Sequence, residues 1–443
     1  MSSRALPRPN HPASRGWVSL LPEPLRIADF RAFWLARLAT TIAQMAMVIV
    51  IGWQVYDIAR GTMNIHEAAF QLGLIGLVQF VPLFLLTPVS GWVADRLDRR
   101  HVARAVICLE LICALILFGA TWTRVISLPI LFGVAALLGV ARAFAGPALG
   151  ALAPNLVPRE LLPRAIALSS TAWQAGAIAG PAIGGLTYDV AHHLPYAISA
   201  VLFAFSASCL FMIGPVPRAA IEPGKPLQRM AEGLRYVGHN RLVLGAITLD
   251  LFAVLLGGVT AMLPLYARDI LHVGAQGLGP LRAAPALGAT LTAIFFSIYP
   301  LRTNVGVKML AAVVIFGAAT AIFGYSTWFP LSLAMLATLG AADMFSVYIR
   351  QSLIQLHTPD EMRGRVAAAS TLAISASNEL GEARSGFAAS FLGPVIATVA
   401  GGLAAVAITL VWSWLFPELR RARTFEPPDE PPPNEATVVS DGV

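Results

Sequence analysis

Charged side chains are scarce in this chain: Asp, Glu, Lys and Arg make up only 12% of its 443 residues, where ordinary soluble domains carry about 25%. A soluble fold could not wet its surface with so few charges. Cysteine is scarce too, and Cys108, Cys113 and Cys209 all lie inside apolar segments with no spacing for a zinc site or a disulfide framework. They read as small core residues. No nucleotide-binding loop, HExxH, GxSxG or paired CxxC occurs, and no loop between apolar runs is long enough to house a catalytic domain. Enzyme chemistry, a metal and a cofactor are therefore not expected. A cleavable signal peptide is not expected either, because the first 29 residues are rich in Pro and Arg and precede a long apolar run with no small-residue cleavage pattern.

What the chain does have is apolar sequence, 57% of its residues with a mean hydropathy of +0.70, in runs long enough to cross a bilayer, which takes about 20 residues each. Twelve spans follow: 30–56, 69–93, 102–122, 128–151, 164–188, 195–213, 243–267, 277–300, 307–326, 330–355, 364–390 and 394–416. The fold class expected is an all-α polytopic membrane protein. Its formal charge of +7 would suit nucleic acid if the basic residues formed a stripe interleaved with aromatics. They sit instead in loops between the spans, so no nucleic-acid partner is expected. With the N-terminus placed in the cytoplasm, 22 of the 31 lysines and arginines fall on the cytoplasmic side and only Arg60, Arg124 and Arg268 on the other. Basic residues are retained inside, so both termini are expected in the cytoplasm.

The chain also repeats weakly upon itself. A shift of 201 residues lays Pro158, Glu160 and Arg164 over Pro359, Glu361 and Arg365, Gly185 over Gly386, and Arg142 over Asp343. Two pseudo-symmetric six-helix bundles, with a substrate site between them near mid-membrane, are what such parallel repeats imply. The expected division is an N-terminal tail (1–29), a first bundle (30–213), a Pro-rich linker (214–242), a second bundle (243–416) and a disordered tail (417–443) whose prolines and acids offer no apolar face.

Three local patterns carry mechanism. After the second span comes Gly91-Trp-Val-Ala-Asp95-Arg96-Leu-Asp98-Arg99-Arg100, in which basic residues on a short loop would follow from topology alone but the Gly91 to Asp95 spacing would not. The fourth span holds Leu138-x-x-x-Arg142-x-x-x-Gly146, and an Arg in mid-helix costs at least about 2.5 kcal/mol unless it meets a partner or a watery cavity. The fifth holds Gly176-Ala-Ile-Ala-Gly180-Pro181-Ala-Ile-Gly184-Gly185, small residues four apart that let helices approach closely, with a proline where a gate could bend. Ordinary helix packing would explain Gly176 and Gly180, but not the whole pattern.

These three patterns resemble those of the major facilitator superfamily, over about residues 30 to 416, and within it the exporter branch that includes the enterobactin exporter. The first matches the family's loop signature except at Asp98, which stands where a second glycine is usual. The resemblance implies that Asp95 closes the cytoplasmic side by pairing with basic groups and a helix N-terminus, a placement worth about 0.3 to 1 kcal/mol for a carboxylate. It also ties Arg142 to proton coupling and the fifth-helix motif to export. The alternative for Arg142 is a purely structural ion pair.

Among the other intramembrane ionisable residues, Arg37, Arg350 and Arg384 lie near enough to helix ends to snorkel, and Glu110 is on a third helix expected to be peripheral. Asp250, Asp343, Glu379 and Glu382 remain as candidates for the proton site. Glu379 and Glu382, three apart, share a helix face, where mutual repulsion favours holding a proton; alternatively one of them pairs permanently with Arg142 or Arg350. Arg142 and Asp343, in equivalent places, are expected to face the central cavity and attract each other. The function expected is export of a small molecule by proton antiport through alternating access, in a bacterial inner membrane, by a protein working as a monomer. A proton-coupled importer of a sugar, amino acid or organic acid is the alternative, and an intramembrane enzyme or a non-transporting sensor a remoter one.

Overall fold

A computed structural model describes residues 21–215, 226–299, 301 and 303–425. Residues 1–20, 216–225 and the tail from 426 lie outside the described residues, as do the side chains of Gly91 and Asp95, so the expected role of Asp95 falls there too.

Twelve long helices carry the described chain: α1 (Ala28–Thr62), α2 (Ile65–Arg96), α3 (Arg99–Trp122), α4 (Leu128–Leu152), α5 (Leu162–Val190), α6 (Leu194–Met212), α7 (Arg241–Gly257), α8 (Gly274–Ile298), α9 (Val305–Tyr325), α10 (Phe329–Leu356), α11 (Asp360–Leu392) and α12 (Pro394–Leu415). No strand occurs among the described residues. By length and composition ten of these can cross a membrane, α7 together with its continuation to Ile270. The two that fall short are α5 and α11, whose apolar run is broken by Gly, Ser, Thr and, in α11, by charges. Both lie where the two sets of six helices meet, so their polar residues need not face lipid.

Within the first set α1 packs on α5 and α6, α2 on α4, and α3 on α4 and α6; within the second α8 packs on α10, α9 on α10 and α12, and α7 on α11 and α12. The two sets meet along α2 with α11 and α5 with α8. An amphipathic helix, Pro226–His239, lies on the second set: Arg365 pairs with Glu232 at 2.6 Å, and Val237 is buried with Val243, Ile247, Ile354 and Val366.

Polar side chains set the helix ends. Asn64 accepts from the backbone of His66 and Glu67 at 2.9 and 3.0 Å while Glu67 accepts from the Asn64 amide at 3.0 Å, so that each helps satisfy donors left free at the start of α2. Asp98 does the same for α3, accepting from the Arg100 amide at 3.0 Å and pairing with its guanidinium at 2.6 Å. Its backbone, at φ −64°, has no need of the glycine usual there. Bonding from the Arg100 side chain is the main reason its carboxyl is held down to about 2.

The course of the helices departs from expectation in two places. The seventh span is not one continuous helix: α7 ends at Gly257, and the chain passes through the 3-10 turn Thr260–Met262 and the π-helical turn Tyr266–Ile270 before α8. Exposed carbonyls at such a break need donors inside a bilayer, and Arg384 supplies them, bonding the carbonyls of Leu255 and Leu256, while Ser385 donates to that of Gly258 at 2.5 Å. Arg384 therefore does not snorkel. The second departure concerns 417–425, assigned to a disordered tail: Pro417–Arg421 forms a short helix, Leu419 is fully buried, and the Gly306 amide donates to the Ala422 carbonyl at 3.0 Å.

Candidate functional site

The fifth-helix glycines come first, because they decide how close the helices stand. A Cβ on Gly176 would come within 2.6 Å of the Thr41 Cβ and one on Gly180 within 2.6 Å of the Met45 Cβ, and one on Gly184 would lie 2.9 Å from Ile49 and 3.0 Å from the Ala46 carbonyl. These three therefore seat α5 on α1. Gly185 points the other way, where a Cβ would lie 2.6 Å from the Ala275 carbonyl of α8. Gly279 of α8 in turn meets the Pro181 carbonyl. The motif is thus a two-sided seam, gripping a neighbour in its own set and a helix of the other set.

Between the sets, where α7 breaks, polar side chains converge. Arg142 of α4 reaches across to Glu379 of α11 at 2.6 Å and donates to Gln79 of α2 at 3.3 Å. One turn along α11, Glu382 accepts from Thr260 at 2.8 Å, in the break after α7, and lies 3.7 Å from Arg282 of α8. Gln79, Thr260, Arg282 and Glu382 line a cavity of about 50 Å³ together with apolar side chains such as Ile49 and Leu278. That volume holds a few waters. The Arg142 side chain is 42% exposed while that of Glu379 is 8% exposed, so the guanidinium shows an open face and the carboxylate does not.

The expected attraction between Arg142 and Asp343 is not formed. Asp343 lines a separate small cavity with Asp250, Val254, Val313, Phe316 and Ser346 inside the second set, and it makes no ion pair among the described residues. The repeat sets the depth of Asp343 on its helix but not its direction, because one residue of register turns a helix by about 100°. Asp250 pairs with Arg350, and that Arg is 2% exposed. Arg350 does not snorkel. Glu110, discounted as peripheral, is 1% exposed and accepts from Gln44 of α1 at 2.5 Å.

A third cluster joins the sets at the end remote from the chain termini. Tyr56 and Arg60, at the end of α1, both donate to Asp269, Arg60 at 3.1 Å, and Arg268 donates to Asp57 at 2.6 Å. Nearby the His66 ring lies 2.9 Å from the Ser390 carbonyl, and Phe70 packs at a tilt against Phe387 with centroids 5.1 Å apart. The sequence reading missed this cluster, along with Gln44, Gln79, Thr260 and Arg282. The signal was there for its charges: Asp57 and Arg60 end the first span and Arg268 and Asp269 end the seventh, its counterpart in the repeat. Glutamines and a threonine carry no charge, and nothing in the sequence sets them apart.

Two sets of membrane-crossing helices, joined by side-chain pairs and close glycine contacts around a polar centre, define a membrane transporter rather than an enzyme. The family model described as Major Facilitator Superfamily matches residues 32–382, and the chain belongs to that family. It is 26% identical over 409 residues to the enterobactin exporter EntS of Citrobacter koseri, which covers 91% of this chain and 94% of that protein, and 26% identical over 405 residues to EntS of Escherichia coli O1:K1 / APEC, covering 90% and 94%. Among solved structures it resembles a POT family transporter with a TM-score of 0.73 at 12% identity, covering 91% of this chain and 99% of that one. A bacterial homolog to the human lysosomal transporter Spinster, in an inward-facing and unoccupied conformation, gives 0.67 at 14% identity, covering 90% and 99%. A D-xylose-proton symporter gives 0.66 at 13% identity, covering 90% and 100%. At these identities the structures speak for the fold alone.

Proposed function

We propose that this transporter exports a small molecule, such as a siderophore, drug or metabolite, in exchange for protons, by rocking 30–213 against 243–416 around the site between them. The observation that carries the reading is the Arg142–Glu379 pair, which ties the two sets together at the polar centre. An ion pair between two moving units must break once per cycle, and a carboxylate left without its cation in an apolar site is neutralised by a proton. Proton binding to Glu379 and separation of the sets are then one event. Glu382, held by Thr260 and Arg282 in the cavity, is the second carboxylate of the same face. The direction of transport is supported by the exporter relatives and by the complete fifth-helix motif.

The membrane is a bacterial inner membrane, both termini are cytoplasmic, and the protein works as a monomer. In that orientation the Tyr56, Asp57, Arg60, Arg268 and Asp269 cluster closes the outer side. Asp95 and the basic residues Arg96, Arg99 and Arg100 then belong to the cytoplasmic gate. Asp250 and Asp343, inside the second bundle, are not the coupling carboxylates on this reading.

The test takes a compound to which a strain lacking the protein is sensitive and measures two activities in proteoliposomes, flux driven by a pH gradient and counterflow without one. Glu379→Gln is expected to lose the first and keep the second, because counterflow needs the cavity but no net proton transfer. Retention of gradient-driven flux would remove Glu379 from coupling. Proton movement in the same direction as the compound would make the protein an importer.

A further inference from the structure

Glu110 is the one buried carboxylate on the first set's third helix, and half of it is unaccounted for. Oε1 accepts from Gln44 at 2.5 Å, but Oε2 has no hydrogen-bond partner, although the residue is almost completely enclosed. A buried carboxylate oxygen without a donor costs several kcal/mol when charged, and orphaned polar atoms of this kind call for an explanation. The groups that face it are few. Gln44 comes from α1, Cys113 stands one turn along α3, and Arg142 is the charge that acts on it from α4. α6, also packed on α3, carries no charged side chain. Arg142, on the helix packed against α3, thus pairs with one carboxylate, Glu379, while its charge also acts on a second, Glu110, that it does not hold.

We infer that Glu110 is a second carboxylate partner for Arg142, to which the guanidinium transfers when the two bundles separate. This rests on the proton-coupled reading and names the residue that receives the arginine. In the arrangement seen here Arg142 neutralises Glu379, and Glu110 holds a proton, which leaves its free oxygen uncharged. In the other arrangement Glu379 holds the proton and Arg142 neutralises Glu110, which has given its proton up. One guanidinium, two carboxyls and one proton sum to zero in both, so the exchange brings no net charge into the apolar centre. Gln44, fixed on Glu110 through one oxygen, leaves the other open to receive the arginine. A proton taken from outside by Glu379 and one released inside by Glu110, followed on the return by passage of the Glu379 proton to Glu110 as Arg142 moves back, amount to inward passage of one proton per cycle.

The exchange is read without any substrate. The full chain in lipid vesicles at neutral pH is treated with N,N′-dicyclohexylcarbodiimide, which modifies protonated carboxyls in apolar surroundings, and adducts are located by mass spectrometry. Wild-type protein is expected to be modified at Glu110. Glu379→Gln frees Arg142 to pair with Glu110, and modification there should fall about tenfold, the population change of one pKa unit. Glu379→Asp keeps the original pair and should restore the wild-type level, which separates the effect from misfolding. No adduct at Glu110 in the wild type, or the same yield in wild type and Glu379→Gln, overturns the proposal. Failure of proton antiport itself would show instead as absent proton movement in the flux assay, while this labelling needs neither gradient nor compound.

Discussion

The arginine–carboxylate pairs Arg142 with Glu379 and Arg350 with Asp250 both lie in the interior of this protein, and they differ in what surrounds them. The first joins two bundles, and its guanidinium is partly exposed; the second lies inside one bundle with both side chains enclosed. A pair between bodies that move apart is remade each cycle and needs access to water. One inside a rigid bundle has neither need. Chemistry alone would make the two look alike; what separates them is which helices they connect.

The comparison breaks most visibly if one member of each pair is neutralised. Removing one partner of a fully buried pair leaves a charge uncompensated, at a cost of about 3 to 5 kcal/mol. Asp250→Asn is therefore expected to lower the thermal midpoint in detergent sharply or to prevent recovery of folded protein. Replacing both members, Asp250→Leu with Arg350→Met, should regain much of that stability, since a well-packed apolar pair of similar volume is often no worse than the ionic one. Glu379→Gln should change stability by no more than about 1 kcal/mol, because Arg142 is partly exposed and has Glu110 as its second partner. Equal destabilisation by Asp250→Asn and Glu379→Gln would erase the distinction drawn here.

Much of this was visible in the sequence, and the part that was not has a physical cause. Apolar runs of membrane length and the repeat register point to twelve helices, and the glycine spacing of the fifth marks a close seam before any helix is seen. Arg142 and Glu379 are both conspicuous as charges in apolar helices. Their pairing is not, since it depends on the rotation of α4 and α11 about their axes, and neither run has a polar stripe narrow enough to fix that angle. Arg350 and Arg384 were misread for a related reason. Nearness to a helix end permits snorkelling, but a long side chain turns inward where an acid or a row of free carbonyls awaits it, as Asp250 and the broken end of α7 do.

The outer cluster sharpens the comparison from another side, because it too joins the bundles but lies at the rim. Asp269 accepts from both Tyr56 and Arg60, so Asp269→Asn takes the charge from the acceptor of two charge-assisted bonds, each worth about 1.5 to 3 kcal/mol when made and less where water competes. The expected result is a shift toward the outward-open arrangement with little loss of stability. It is read on a background in which Cys108, Cys113 and Cys209 are replaced and Ala261→Cys, lining the cavity, reports access to a membrane-impermeant maleimide from outside. Labelling should speed up about tenfold for each 1.4 kcal/mol by which closure is weakened. An unchanged rate would mean that the glycine seam and the aromatic contact hold the outer side shut without the ion pairs.

The smallest effect belongs to a pair that neither crosses the bundles nor lies in the apolar interior. Asp98 and Arg100 are two residues apart at the start of α3, and the carboxylate both caps the helix and holds the guanidinium. With its carboxyl at about 2 in the folded protein and about 3.9 in an unfolded chain, Asp98 stabilises the fold above about pH 4. That contribution is lost as the pH falls from about 4 to about 2. Asp98→Ala removes cap and charge together and should cost about 0.5 to 2 kcal/mol at neutral pH, with a smaller loss at pH 3, where the native contribution is already fading. Asp98→Asn keeps the capping oxygen and loses only the charge, so it should fall between the two at pH 7 and approach the wild type at pH 3. Thermal midpoints of the three proteins at both pH values make the check. If Asp98→Asn lowers the midpoint equally at pH 7 and pH 3, the ion pair adds nothing beyond the cap.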